Sequence, residues 1–463
     1  MIRLQRRSRS AGILVALLAI AHPARLPAAE PPPFALIRAD EDYRYLRNPD
    51  AAKSWEDGIK YVPLDSSGQS FLSLGGEVRE RVDVFDAPRF GIGQRSDAYV
   101  LQRVLLHGDL HVTDRFRIFA EFGKHDAYDK NRPLGPTDED GADLQVGFLD
   151  VVPDPDEHLT LRAGRQELQF NPLQRFVSVR EGPNIRQSFD GGRAFWRDGP
   201  LKVDVFATRP VQIKPGAFDD TADHTLRFYG GNLETALDAA TIVEGYVFEY
   251  DHDRVRYGSN SGNERRTSIG LRLAGRREAW DYDAEGIGQL GSMSGHDIAA
   301  WAGSADGGYT LAADWAPRLG LRFDAGSGGS NGRTGMVGTF QPMFPKGAYF
   351  NETALTSWSN LIAIRPSLRV QPMPTVSLEA SVLLRWRQNP ADAVYVQPST
   401  PIAATLGNRA REVGQAYELD ATWKATRNLS FEMQFVHQAA GPAITKAGGH
   451  DTDFGMLITQ LRF

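Results

Sequence analysis

The densest group of side chains able to bind a ligand lies between Leu161 and Arg193. Six arginines occur there against three acids, namely Arg162, Arg165, Arg175, Arg180, Arg186 and Arg193 against Glu167, Glu181 and Asp190. A guanidinium pairs with a carboxylate through two hydrogen bonds, so a row of arginines in a narrow aqueous passage would favour anionic solutes. The same residues also fit a solvated loop whose arginines pair internally. Spacing alone leaves both interpretations open.

No other group of residues indicates chemistry. The chain has no cysteine, which excludes thiol catalysis, thiolate metal sites and disulfides. His107 and His111 are four residues apart, but on a strand this spacing separates them by about 13 Å, too far to share a metal ion. The Gly-rich stretch 326–338 lacks the Lys-Ser/Thr pair of a phosphate loop, and no nucleophile elbow is present. We expect no catalytic residues, metal or cofactor.

Composition narrows the class further. The chain has 463 residues with 52 Lys+Arg against 58 Asp+Glu, a formal net charge of −6, so no basic surface predicts nucleic-acid binding. After the first thirty residues, no apolar run approaches the roughly 18 residues of a transmembrane helix.

The N-terminus has the three parts of a secretory signal peptide. Four arginines, at positions 3, 6, 7 and 9, precede the apolar run 11–21, and the small residues Pro27-Ala28-Ala29 follow. We predict a signal peptide over residues 1–29, of the general (Sec) type because Arg6-Arg7 lacks the rest of a twin-arginine pattern. Residues 30–70, which are Pro-rich and charged, are predicted to form a periplasmic lead-in.

From Phe71 onwards apolar and polar residues alternate, the period of a β-strand. In the first strand Leu72, Leu74, Val78, Val82 and Val84 oppose a polar face that includes Glu77 and Arg79. The same pattern recurs over residues 100–112, 115–122, 201–208, 266–273, 376–387 and 412–424.

These strands are longer than those of a soluble β-sandwich, which average about 5–6 residues. Their apolar faces end in Phe85, Tyr99, Trp386 and Trp423, which we expect to form aromatic girdles at the membrane surface. Short connections alternate with long, Gly- and Pro-rich ones, the pattern of periplasmic turns and external loops.

Residues 71–463 are therefore predicted to form one all-β domain, a transmembrane antiparallel barrel of the outer membrane. At roughly 22 residues per strand and connection it would have roughly 16 to 20 strands, about 18, in the range that leaves an aqueous channel. The alternation continues to Phe463, a terminal aromatic that we expect the outer-membrane assembly machinery to recognise.

Three segments resemble the alginate export family of outer-membrane porins: the segment Leu161 to Arg193 with its run Arg180-Glu181-Gly182-Pro183-Asn184 to Gly191, Leu101-Gln102-Arg103-Val104, and Phe340-Gln341-Pro342-Met343-Phe344-Pro345-Lys346-Gly347. The resemblance covers the chain from about Leu72. It implies an eighteen-stranded barrel with an electropositive lumen for a polyuronate and long loops that help to gate it. The lumen residues implied are Arg79, Arg103, Arg165, Arg175, Arg186 and Arg193, with Asp190 as countercharge.

We accordingly predict a channel in the outer membrane of a Gram-negative cell that passes an alginate-like polysaccharide outwards. The predicted pathway residues are Arg79, Arg103, Arg165, Glu167, Arg175, Arg180, Arg186, Asp190 and Arg193. The first alternative is an uptake porin for organic acids or oligouronates, and the second is an outer-membrane barrel enzyme. Expected partners are the anionic saccharide, outer-membrane lipid and the assembly machinery, and a periplasmic export scaffold stays open.

Overall fold

A computed structural model describes residues 32–48, 51, 54–257, 260–330 and 335–463. The predicted signal peptide lies outside the described residues. Eighteen long strands follow one another along the chain: β1 Phe71–Phe85, β2 Asp97–His111, β3 Phe116–Tyr128, β4 Asp140–Val151, β5 Leu159–Gln166, β6 Phe189–Asp198, β7 Leu201–Gln212, β8 Leu226–Asp238, β9 Thr241–Tyr257, β10 Asn260–Arg277, β11 Trp280–Met293, β12 His296–Thr310, β13 Arg318–Gly326, β14 Leu361–Met373, β15 Val376–Trp386, β16 Glu412–Lys424, β17 Leu429–Ala440 and β18 Thr452–Arg462.

Each strand pairs antiparallel with the next one in sequence, and the first pairs with the last. The closing register runs from Glu77 opposite Arg462 to Phe85 opposite Phe454. The sheet is thus a closed barrel with no free long edge, as the sequence predicts. The helices in the described part of the chain are short, and none is long and apolar enough to cross a membrane.

The two faces of each strand follow the predicted alternation. In β1, Val82 and Val84 are exposed on the outside, whereas Glu77, Arg79 and Arg81 on the other face are buried. Strand β2 repeats this pattern, with Leu106 outside and Arg103 and His107 inside. The interior is therefore polar and the outer band apolar, the arrangement that a lipid-embedded barrel requires.

Two of the four predicted girdle aromatics face the wrong way for that role. Phe85 is buried on the inward face, with its ring 5.1 Å from that of Phe454, and Tyr99 shares the inward face of β2 with Arg103. Phe85 shares the odd register of Glu77 and Arg79, so the period of two puts it inward, where it joins an apolar cluster with loop residues that cover this end of the lumen. Trp386 and Trp423 lie on the outward face, and Trp423 stacks on Phe431 across a short turn.

Connections at the two ends of the barrel differ in length. At one end the chain turns in two to seven residues, as at 199–200 and 152–158, whereas the other end has long loops, among them 167–188, 327–360 and 387–411. The loop 387–411 contains a small hairpin of Val394–Val396 and Thr400–Ile402. The same loop contains the short helix Ala403–Thr405, and other connections contain those at Pro88–Gly91, Pro155–Glu157 and Pro442–Thr445.

The segment before β1 packs against the barrel. It contains three short helices, Arg38–Asp40, Arg44–Arg47 and Asp57–Lys60, and a short strand, Val62–Pro63, that pairs with the start of β1. The Arg38 guanidinium donates to the carbonyl oxygens of Gly76 (3.0 Å) and Phe463 (2.9 Å), so it joins this segment to the seam between β1 and β18. Ala39 packs with Phe119, Val146 and Phe148 of β3 and β4.

Candidate functional site

Two long loops fold together inside the barrel. Loop 167–188 and loop 327–360 meet in a parallel bridge between Val177 and Phe344, and the Phe344 amide donates to the Phe176 carbonyl at 3.0 Å. The ring of Phe176 lies 5.0 Å from that of the buried Trp358. This shared apolar core holds the polar residues of loop 167–188 against the barrel wall.

The sequence of loop 167–188 favours its inward course. The side-chain oxygen of Asn171 accepts hydrogen bonds from the amides of Leu173 (3.1 Å) and Gln174 (2.9 Å), an Asx turn that reverses the chain. Gln174 and Arg180 have positive φ, at 54° and 53°, and mark two further changes of direction.

Three predicted arginines converge with three glutamates, and we name Arg79, Arg103, Arg186, Glu77, Glu167 and Glu181 the arginine network. Arg103 Nε donates to Glu77 Oε1 at 2.8 Å, and its Nη2 pairs with Glu181. Arg79 donates to the backbone carbonyls of Glu181 (2.7 Å) and Pro183 (2.9 Å). Because Arg79 and Arg103 lie on β1 and β2, the network fastens the loop to the wall.

Arg186 completes the network from within the loop. Its Nη2 donates to Glu167 Oε2 at 2.8 Å and to the Leu36 carbonyl at 2.7 Å, so the network also reaches the segment before β1. Burial raises the pKa of Glu167 to about 8, and the nearby charges of Glu121 and Glu181 also raise it, against the lowering effect of Arg186. Burial alone would also raise the pKa of Glu181, but Arg103 and Arg186 outweigh it and lower that pKa.

Arg175 joins the loop to a different part of the wall. Its Nη1 lies 2.6 Å from Asp283 Oδ1 and 2.9 Å from Glu285 Oε2, both on β11, and its Nε donates to the Tyr349 hydroxyl at 3.1 Å. The guanidinium is fully buried. Arg175 therefore lies apart from the arginine network, with partners of its own.

The predicted pathway residues of the wall form separate pairs. Arg165 on β5 donates to Asp190 on β6 at 2.8 Å, so the carboxylate that the resemblance implies as countercharge lies beside one of the predicted arginines. Arg193 on β6 donates to Asp204 on β7 at 2.7 Å. Each guanidinium thus shares its charge with a carboxylate on the neighbouring strand.

The family of this protein follows from a comparison of most of its sequence with a family model, and not from these contacts. The model of the alginate export family matches residues 70–456, most of the sequence. The chain belongs to the alginate export family. Together with its closed, porin-like barrel, this membership makes it an outer-membrane channel protein. No curated protein matches it.

Solved structures similar to this family member are outer-membrane porins of Pseudomonas aeruginosa. OccD3 (OpdP) is 12% identical with a TM-score of 0.58, and the match covers 94% of this chain and 99% of that one. OccK2 (OpdF), crystallised in complex with glucuronate, is 11% identical with a TM-score of 0.57, covering 85% and 98%. At this identity the likeness shows the shared barrel fold.

Arg180 differs from the other predicted arginines of this family member. It is partly exposed, and among the described residues its guanidinium has no hydrogen bond or ion pair. Burial lowers its pKa, and Tyr250 of β9 opposes this effect. The N–H donors of the Arg180 guanidinium are therefore not paired with any of the described residues.

Several partners of the predicted arginines were not foreseen from the sequence. Glu77 lies on the predicted polar face of β1, so the alternation of this strand could have indicated that its side chain points into the barrel. Asp283 and Glu285 also alternate along β11, but only the fold brings them to Arg175. The two histidines have separate partners: His107 faces Glu121 at 3.5 Å and His111 faces Asp109 at 3.2 Å.

Proposed function

We propose that this barrel passes an anionic polysaccharide of the polyuronate kind, such as alginate, out of the cell. The observation that supports this most is Arg180, a partly exposed guanidinium without a carboxylate partner among the described residues, on a loop inside the barrel. A guanidinium in that condition offers its fork of donors to a carboxylate of a solute. The family itself is named for alginate export.

The other pathway arginines would attract a polyanion more weakly, because each already has an internal partner. Arg165 shares its charge with Asp190, and Arg103 with Glu77 and Glu181. A passing carboxylate must compete with these acids, which keeps each contact weak enough to be released. Conduction needs such weak, repeated sites rather than one tight site.

Loops 167–188 and 327–360 would act as a gate in this proposal. They bury Arg79, Arg103 and Arg186, which are at most 1% exposed. A polymer would reach these arginines only when the loops move, whereas Arg180 is already partly exposed.

The proposal is tested by ion selectivity in a planar bilayer across a KCl gradient. The purified protein is compared with Arg180→Glu and with Arg95→Glu, an exposed loop arginine that gives the same change of charge. We expect anion preference in the wild type, a loss of that preference in Arg180→Glu, and little change in Arg95→Glu. Oligouronate should block the wild-type current and block Arg180→Glu less. Cation preference in the wild type, or equal block in both variants, would refute the proposal.

A second candidate is uptake of small organic acids or oligouronates. It is favoured by the two inward loops, which narrow the lumen, and the similar barrel of OccK2 was crystallised with glucuronate. The length of the blocking oligouronate separates the candidates. Stronger block by longer chains supports polymer export, whereas flux of uronate monomers without block by long chains supports uptake.

A further inference from the structure

Four aspartates converge at the end of the barrel that has the long loops. Asp140 and Asp143 lie at the start of β4, and Asp219 and Asp220 lie in loop 213–225 after β7. One carboxylate oxygen of each lies within 4.8 Å of those of the other three. We name these four residues the aspartate cluster.

The backbone brings the two halves of the cluster together. The Gly141 amide donates to the Gly216 carbonyl at 3.0 Å, and a Cβ added at Gly141 would overlap that carbonyl oxygen. The amides of Asp219 (2.8 Å) and Asp220 (3.1 Å) both donate to Asp143 Oδ2. Glycine at position 141 therefore allows the close approach that concentrates the negative charge.

Two oxygens of the cluster are buried without a donor. Asp140 is 3% exposed, and its Oδ1 accepts no hydrogen bond from the described residues. Oδ1 of Asp219 is also shielded from solvent and accepts none from them. Such uncompensated buried carboxylate oxygens cost free energy unless a cation or a donor reaches them.

The basic groups around the cluster do not neutralise it. Arg165 lies 3.9 Å from Asp143 Oδ1, but its short ion pair is with Asp190. His125 lies 3.9 Å from Asp140, and the Lys214 ammonium donates to the Asp219 carbonyl and the Thr221 hydroxyl. Burial, with the charges of Asp143 and Asp219, raises the pKa of Asp220.

We infer that the aspartate cluster binds a calcium ion that ties loop 213–225 to the start of β4. Calcium prefers carboxylate and other oxygen ligands at about 2.3–2.6 Å. Two ligands on opposite sides of such an ion are therefore separated by about 4.6–5.2 Å, and the four oxygens lie within 4.8 Å of one another, close enough to share one ion. The ion would compensate Oδ1 of Asp140 and Oδ1 of Asp219 together. This inference is independent of the solute that the channel passes.

The test is calorimetric titration of CaCl2 into the full-length protein, refolded in detergent and freed of metal with a chelator. We expect one ion per chain, with a dissociation constant of about 10⁻³ M or tighter, as for extracellular calcium sites. Asp140→Asn and Asp219→Asn should each weaken binding about tenfold or more. Glu139→Gln is the matched control, because this neighbouring carboxylate is not part of the cluster.

Thermal unfolding gives a second readout that does not require tight binding. Calcium should raise the wild-type midpoint, and KCl at equal ionic strength should not. Asp140→Asn should lose this calcium response but unfold no earlier than the wild type in chelator, which shows that the variant is folded. Absence of calcium heat in the wild type, equal binding in the Asn variants, or an equal response to KCl would each overturn the inference.

Discussion

The arginine network and the aspartate cluster are both made of buried charges, yet they are built in opposite ways. In the network, Arg103 and Arg186 face Glu77, Glu167 and Glu181, and ion pairs link loop 167–188 to β1 and β2. In the cluster, four carboxylates face one another, and the nearby Arg165 makes its short ion pair with Asp190 and only a long one, 3.9 Å, with Asp143. Each arrangement holds a long loop in place.

The comparison of the two regions shows two ways in which buried charges can hold a loop against a barrel. Matched charges are a permanent fastening that depends only on the protein, whereas like charges hold a loop only when something external compensates them. The network should therefore be sensitive to mutation and insensitive to divalent cations. The cluster should behave in the reverse manner.

The largest effect is expected from Arg103→Ala. This change leaves Glu77 and Glu181 buried without their main partner, and breaking a buried pair from one side costs about 3–5 kcal/mol. Urea unfolding in detergent, followed by tryptophan fluorescence, measures the loss. The double variant Arg103→Ala, Glu77→Ala should lose less than the sum of the single changes. A loss below about 1 kcal/mol, typical of an exposed pair, would contradict a buried network.

Removing one carboxylate from each region should have effects of opposite sign. Glu77→Gln replaces a charged partner of Arg103 and Arg462 and should cost about 1.5–3 kcal/mol. Asp140→Asn, measured in chelator, should leave stability unchanged or increase it, because the other three carboxylates no longer oppose its charge. Unfolding of both variants under one set of conditions checks the contrast. Destabilisation of equal size in both would show that the two regions do not differ.

A steric change should loosen the cluster without touching its charges. Gly141→Ala places a Cβ against the Gly216 carbonyl and should push loop 213–225 away from β4. Such overpacking costs about 1–3 kcal/mol and should also weaken the calcium response. Gly245→Ala is a control in β9, where the nearest atom to an added Cβ is 4.0 Å away. Limited proteolysis of loop 213–225 should be faster only in Gly141→Ala.

The fold was predictable because the alternation of apolar and polar residues within each strand identifies its outward and inward faces. The alternation from Leu72 to Val84 predicts β1 and its orientation without any other part of the chain. Phe85 follows the same rule, because its odd register puts it on the inward face with Glu77 and Arg79, but the loop residues that it packs against there lie far away in sequence. Periodicity predicts an element, but what packs on its end is decided by tertiary contacts.

The arginines of the site were predictable as a group, but their partners were not. Arg165 and Asp190 lie in one segment, and the resemblance implied Asp190 as a countercharge to the arginines as a group, without assigning it to Arg165. Arg175 reaches Asp283 on β11, a contact across more than a hundred residues that no local pattern indicates. The aspartate cluster was missed for the same reason, since Asp143 and Asp219 become neighbours only when loop 213–225 folds over β4.

The smallest expected effect is on the pH dependence of folding stability, which should differ between two glutamates of the network. Because Arg103 and Arg186 lower the pKa of Glu181 in the folded protein, its contribution to stability is present above the unfolded pKa of about 4.3. That contribution is lost as the pH falls through the lower folded value. Glu181→Gln should therefore be less stable than the wild type at pH 6, and the difference should shrink towards pH 3.

Glu167 provides the opposing control, because burial raises its pKa. Its contribution is present below the unfolded pKa and is lost as the pH rises through the raised value. Glu167→Gln should accordingly gain on the wild type between pH 5 and pH 8, when the midpoint of thermal unfolding is followed in chelator. The two stability differences, each measured against the wild type, should therefore change in opposite directions with pH. If both variants instead followed the wild-type pH profile in parallel, Glu181 and Glu167 would titrate alike. The network would then not contain one ionised, arginine-paired carboxylate and one that burial keeps partly protonated.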